Sequence, residues 1–524
     1  MGLTRRDFLM RVGSAGGYGA AFMMMQSLGL MPAPQAAAEE RKLQPVAGKG
    51  TKVVILGGGI AGLVSAYELG KAGYSCTVLE ARQRVGGRNW SIRNGCDVEF
   101  TDGTAQRCGF EDGHYFNAGP ARLPSIHQTM LGYCKELGVP LEVEVNTSRS
   151  SLLQCNKLNG GKPVEQRQVV NDTRGHVAEL LAKSINRGSL NQEITKDDKE
   201  RMLEFLRQYG DLSPDMFYKG SERSGFKVWP GAGPDRPQPH DPLDMNALLD
   251  ADLWFGILSE DVIDWQATMF QPIGGMDRIP AAFEKKIGDK VRYGAEVQQI
   301  RQDANGVRVT YRDKKTGKNE IVSADYCICA MPFSVVKTLD ADFSPEVKDA
   351  IQGSTYDSGY KVAWESRRFW EQDYNIYGGL SYLQQTVGVV WYPSAQIFSE
   401  SGVIVSGYAV ENGSAFGKLP SVQAKLDASR QAVELLHPGH GKELKNPVYI
   451  NWGRIPYNLG SWINGFGGSR QKAYERIIEP DGRVYFAGDH TSQIVGWQEG
   501  AALSAYRVIR QIGTQVSKGG ASAA

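Results

Sequence analysis

Residues Val53 to Arg88, V-V-I-L-G-G-G-I-A-G-L-V-S-A-Y-E-L-G-K-A-G-Y-S-C-T-V-L-E-A-R-Q-R-V-G-G-R, constrain the fold more than any other stretch of the chain. The apolar run Val53 to Leu56 reads as a buried parallel strand. Gly57, Gly59 and Gly62 follow at the spacing of a dinucleotide-binding turn. The first makes the tight turn, the second lets backbone approach a pyrophosphate, and the third lets a helix pack closely. A helix beginning near Ile60 and Ala61 aims its N-terminal amides at the phosphates. A second strand, Thr77 to Leu79, ends in Glu80, eighteen residues after Gly62. A carboxylate there accepts hydrogen bonds from ribose hydroxyls and repels a 2′-phosphate. Strand, glycines, helix, strand and acid in this order predict a βαβ unit of a Rossmann-like α/β domain.

Ala81 and Arg82 come next, then Arg84-Val85-Gly86-Gly87-Arg88. The glycines let backbone pass close to a ligand, and the Arg88 fork can pair with a pyrophosphate. Two distant segments have matching character. Ile273-Gly274-Gly275-Met276-Asp277-Arg278 opens a helix that leads to an extended run from Val291 to Ile300, a hairpin (Gly306 to Tyr311, Glu320 to Val322) and a buried strand from Ala324 to Ala330. Near the C-terminus, strand Val484 to Ala487 delivers Gly488-Asp489, where a carboxylate can accept from ligand hydroxyls, and a helix follows from Gly500 to Gln511.

Together these three segments resemble the flavin-dependent amine oxidase superfamily, most closely its L-amino acid oxidases. The resemblance implies non-covalently held FAD and a fold of three discontinuous parts. These are a Rossmann-like FAD domain (50–90, 270–345, 455–515), a mixed-sheet substrate domain (91–160, 250–269, 346–454) and a helical domain (161–249). It also implies that Val297 meets the adenine through its backbone.

The substrate side decides among the reactions a flavin permits. Asn117-Ala118-Gly119-Pro120-Ala121-Arg122-Leu123-Pro124 resembles the segment in which L-amino acid oxidases bind the substrate carboxylate, with Arg122 as the bidentate donor. Lys361, in an apolar strand, matches the family's lysine, hydrogen-bonded through water to flavin N5. Trp462 and Trp497 align with the aromatic positions that flank the substrate amine, and the Gly496 carbonyl is an acceptor for the amino group. A tyrosine, Tyr377 or its neighbour Tyr374, is the expected second carboxylate donor, with Tyr377 favoured by the Gly378-Gly379 that follows. The implied reaction is oxidation of an L-amino acid, with O2 as acceptor, to a 2-oxo acid, ammonia and hydrogen peroxide. Alternatives on the same scaffold are a monoamine or polyamine oxidase and an amino acid 2-monooxygenase; a flavin-binding protein without turnover is the alternative of another class.

With 524 residues and 41% hydrophobic content the chain can bury a large core, and a net charge of +1 gives no global case for binding nucleic acid. Thr4-Arg5-Arg6-Asp7-Phe8-Leu9-Met10 resembles a twin-arginine signal, the stretch from Val12 to Ala38 is free of charge, and Ala36-Ala37-Ala38 offers a cleavage site. Residues 1–38 are therefore expected to direct bacterial export to the periplasm or medium, with no stable membrane insertion after cleavage. The seven cysteines (76, 96, 108, 134, 155, 327, 329) and seven dispersed histidines form no metal pattern. A homodimer is the default expectation for assembly.

Overall fold

The computed structural model describes residues 48, 50–188, 195–234, 236–466 and 470–521. The twin-arginine-type segment 1–38 lies outside them. Mixed α/β architecture is organised about a five-stranded parallel sheet, in the order Val291–Tyr293, Ser75–Glu80, Lys52–Leu56, Tyr326–Cys329, Val484–Phe486. Its strands come from all three segments with flavin-site character. Strict alternation along them divides the core. Val53 and Ile55 face the helices Ile60–Lys71 and Gln498–Ala521, while Val54 and Leu56 face a four-stranded sheet on the other side. A strand covered on both faces must be apolar throughout, which is why Val53 to Leu56 carries no polar residue.

The run from Val291 onward forms two strands. Gly294 takes φ +67° and breaks it, so that Val291–Tyr293 joins the parallel sheet and Ala295–Asp303 enters the four-stranded sheet. The C-terminal helix begins at Gln498 and runs to Ala521, longer at both ends than the Gly500–Gln511 expectation.

A seven-stranded mixed sheet lies on the substrate side, ordered Lys445–Asn451, Gly359–Arg367, Ser401–Val410, Val389–Trp391, Leu380–Leu383, Leu152–Gln154, Val164–Glu165. Its last strand falls inside the range expected to be helical. The helical layer proper is Gln166–Asn186 against Lys196–Tyr209, packed through Ala178, Ala182, Ile185 and Leu206, and it continues through Met245–Ala251 and Trp254–Leu258. A two-stranded ribbon, Leu141–Val145 with Thr268–Pro272, brings Glu144 and Gln271 to a small cavity beside the site. Among the described residues all seven cysteines are unpaired, six of them buried, and no helix is long and apolar enough to cross a membrane.

Candidate active site

A cleft of about 520 Å³ runs from the glycine turn at the edge of the parallel sheet to the seven-stranded sheet. Gly57, Gly59, Ile60 and Ala61 line one end. No side chain caps the helix that starts there, so its first amides are left to a ligand. A Cβ built on Gly59 would meet nothing within 4 Å, so the turn leaves open space on the cleft side. Gly62 is required for another reason: a Cβ there would overlap the Gly57 carbonyl, so the third glycine closes helix onto turn. Glu80 is held rigidly, Oε2 accepting from Gly58 N at 2.8 Å and Oε1 from Arg82 N at 2.9 Å. Ala81, Arg82, Gly86, Gly87, Arg88, Val297, Gly488 and Asp489 line the same cleft. These residues fit a flavin dinucleotide: uncapped amides for phosphate, a fixed acid at the ribose position, and open space beside the glycines.

Arg88 and Asp489 both line the cleft and are paired with each other: the Arg88 fork donates to both Asp489 oxygens and to the Ser461 carbonyl. The reason is burial. Burial alone would raise Asp489, yet the Arg88 guanidinium holds it well below the usual carboxylate range, and neither charge would be tolerated there alone. Asp489 also accepts from Gly496 N at 3.0 Å, which fixes the segment carrying Trp497.

On the substrate side, the loop from Asn117 to Pro124 packs against the glycine-arginine turn. A Cβ on Gly119 would overlap the Arg88 carbonyl oxygen, so only glycine permits this approach. Gly119, Pro120, Ala121 and Arg122 all line the cleft. Arg122 is only 5% exposed, its guanidinium 4.8 Å from the Trp265 ring and 4.6 Å from the Trp391 ring, and Nη1 donates to Asn146 Oδ1. Indole faces on a planar cation fix its orientation without neutralising it.

Lys361 lies in a strand paired on both sides, with Tyr408 and Ile450 as register partners, which excludes a solvated edge position. It is 5% exposed and donates to Asn117 O at 2.9 Å and Gly119 O at 2.6 Å. A register shift between Lys361 and Ala363 marks a bulge there, a device that re-aims side chains. Burial, reinforced by Arg122 and opposed by Glu144, lowers its ammonium to about 7.

Trp462, Gly496 and Trp497 line the cleft as well. Trp462 donates Nε1–H to Asp357 at 2.9 Å, and the Trp497 ring meets His127 edge-on at 4.9 Å. Tyr377 is the correction: it is 38% exposed, packs on Phe398 and does not line the cleft. Gly378 and Gly379, both at positive φ, turn the chain after it, and the strand Val389–Trp391 delivers Trp391 to the site instead. Tyr374 packs on His437 and His440, away from the cleft. Sequence reasoning missed Trp391, Trp265, Tyr408 and Glu144. The β-branched and aromatic run Val389-Val390-Trp391 offered a strand signal for the first; the others come from the register of distant strands and loops.

Residues 60–512 match the family model of flavin-containing amine oxidoreductases. The chain belongs to that family. It is similar to the L-amino-acid oxidase of Pseudechis australis, 26% identical over 490 residues that cover 88% of this chain and 86% of that one. The L-amino-acid oxidase of Vipera ammodytes ammodytes is also 26% identical, over 488 residues covering 88% and 92%. Among solved structures, wild-type putrescine oxidase bound to putrescine superposes with a TM-score of 0.58 at 19% identity, covering 88% of this chain and 98% of that one. That likeness fixes the fold as that of the flavin-dependent amine oxidases.

Proposed function

We propose that this oxidoreductase is an L-amino-acid oxidase that holds FAD without a covalent bond. One observation carries the substrate class: the buried Arg122 guanidinium, oriented between two indoles on the wall of the cleft. A simple amine or diamine has nothing for this cation to bind, whereas an α-carboxylate matches its fork. The curated relatives support the reading, since both named above are L-amino-acid oxidases.

Gly57, Gly59, the helix starting at Ile60, Glu80, the Arg88–Asp489 pair and Val297 would hold the cofactor. A bound flavin would supply the two-electron acceptor for oxidising the substrate's Cα–N bond, with O2 taking up the electrons as hydrogen peroxide and water converting the imino product to 2-oxo acid and ammonia. Arg122 docks the carboxylate and so fixes which Cα substituent points at the acceptor. Trp462 and Trp497 exclude water around the amine, favouring its neutral form, and the Gly496 carbonyl orients it. Lys361 holds a proton where oxygen is reduced. Export by the twin-arginine route belongs to the same proposal.

Anaerobic bleaching of the flavin, screened over the twenty L-amino acids, putrescine and simple monoamines, tests the substrate class. Amino acids should bleach and amines should not; the reverse would overturn the reading. Product analysis then separates 2-oxo acid and peroxide from the amide and CO2 of a monooxygenase. Arg122→Ala should raise KM for amino acids by about 100-fold with a smaller change in kcat.

A further inference from the structure

Glu144 is a charged residue where an apolar one would satisfy the strand equally well. It lies on Leu141–Val145, whose alternation sends Val143 outward, 50% exposed, and Glu144 inward to 2%. Oε1 accepts from Trp391 Nε1–H at 3.1 Å, and Oε2 has no hydrogen-bond partner among the described residues. Two residues further along, Asn146 accepts from Arg122, so one edge of the ribbon serves both the indole and the cation. The indole that Glu144 holds lies over the Arg122 guanidinium at 4.6 Å and the Lys361 ammonium at 5.4 Å. A side cavity of about 80 Å³ opens against Glu144 and meets the main cleft at Ala121, Lys361 and Trp391.

The charged groups that bear on this carboxylate are Arg122 and Lys361. The other titratable side chains around the cavity are His114, Tyr115, Arg368 and Tyr392; His114 is paired with Glu365, Arg368 with Glu371, and Tyr392 is bonded to Ser381 and His437. On the same strand Glu142 accepts from Gln271.

We propose that Glu144 is a positioning residue of the amino-acid site: it holds Trp391 across Arg122 and, together with Lys361, sets the charge that an incoming carboxylate meets. The inference rests on Arg122 being the carboxylate binder. Burying an acid beside two cations makes chemical sense if its charge is used, because the same strand position filled by leucine would carry no desolvation cost. Burial raises Glu144 to about 7, against the pull of Arg122, and Lys361 is lowered to about 7. Two protons therefore leave this cluster across the neutral range, and each loss makes the site less attractive to an anion. Glu144→Gln removes one of the two steps and keeps an acceptor for Trp391. Glu144→Leu removes the step and the acceptor.

Benzoate, a carboxylate with no amine to oxidise, is the probe, and its affinity for the flavin-loaded protein is measured by calorimetry between pH 6 and pH 9.5. Wild-type affinity should fall through two proton steps and that of Glu144→Gln through one, leaving the variant about tenfold tighter at the alkaline end. Glu144→Leu should bind about tenfold more weakly than Glu144→Gln at every pH, because Trp391 loses its anchor. Should Glu144→Leu fail to fold, Trp391→Phe, which keeps a ring without the N–H, makes the same comparison. Coincident pH profiles for wild type and Glu144→Gln overturn the charge role, and equal binding by the Gln and Leu variants overturns the positioning role. Arg122→Ala separates the two readings. If it leaves benzoate affinity unchanged, the carboxylate assignment fails; if it abolishes binding while the Glu144→Gln profile matches wild type, only the Glu144 inference does.

Discussion

Lys361 shows how much of this site is set by single side chains. Its ammonium touches two backbone carbonyls and the faces of Trp391 and Tyr408, with no carboxylate in direct contact. A lysine placed this way is a poor cation, and its lowering to about 7 follows from burial first and from Arg122 second. The sign for stability is set by proton counts. Between about 7 and its ordinary 10.5 the unfolded chain binds a proton at this position and the folded chain does not, so this group's contribution rises with pH across that window and is least below it. Lys361→Met should abolish that rise, seen as a flatter melting temperature against pH on the alkaline side. The same substitution should slow reoxidation of the reduced enzyme by O2 by about 100-fold while sparing the limiting rate of anaerobic reduction at saturating substrate, measured by stopped-flow absorbance. In wild type the oxygen step should slow as pH climbs through 7, since the protonated fraction falls; a reoxidation rate indifferent to both pH and substitution would remove Lys361 from the chemistry.

At the scale of an element, the loop from Asn117 to Pro124 ties the two halves of the site together. Its Gly119 sits against the Arg88 carbonyl, its carbonyls anchor Lys361, and three residues later it presents Arg122. Gly119→Ala places a methyl group into backbone that has no freedom to retreat, because Arg88 is itself clamped to Asp489 and Ser461. The loop must then lift. The expected outcome is flavin affinity weakened by tenfold or more, with KM for amino acids raised in parallel, read by flavin fluorescence on dilution and by steady-state kinetics; flavin affinity within twofold of wild type would show that the loop adapts. Such an element was legible in the sequence because its chemistry is contiguous, as it was for the glycine turn, whose strand, glycines and acid lie within one βαβ unit. Tyr377 was misassigned because Gly378-Gly379 marks a turn but not its direction. Trp391, Trp265 and Glu144 reach Arg122 through pairings between strands and loops far apart in sequence, and no local periodicity encodes which strand lies beside which. The change of sheet at Gly294 is not legible either, since it leaves the hydrophobic pattern on either side intact.

Across the whole molecule, the cleft-lining residues proposed to hold the flavin come from positions 57–88, 297 and 488–497, and the parallel sheet that orders them is complete only when Val484–Phe486 pairs with Tyr326–Cys329. The helix Gln498–Ala521 then covers the sheet against Ile60–Lys71. A chain emerging from the ribosome cannot assemble this site until nearly all of it has been made, so flavin capture must follow synthesis of the last hundred residues and accompany folding of the entire FAD domain. Under the proposed export, a cofactor supplied in the cytoplasm must be bound before the chain leaves it, and the route has to accept folded cargo. That requirement matches the Arg5-Arg6 pattern, because the twin-arginine pathway carries folded proteins whereas threading an unfolded chain would strip the flavin. Two results are expected in the native cell. Precursor isolated from the cytoplasm already carries its flavin, and the Arg5→Lys/Arg6→Lys double variant accumulates there, folded and loaded, while wild type is found outside the inner membrane. Flavin content by absorbance and cell fractionation decide the matter: export of the double variant at the wild-type level would remove the twin-arginine route, and a cytoplasmic precursor that is flavin-free and unfolded would mean that the site is assembled only after transport.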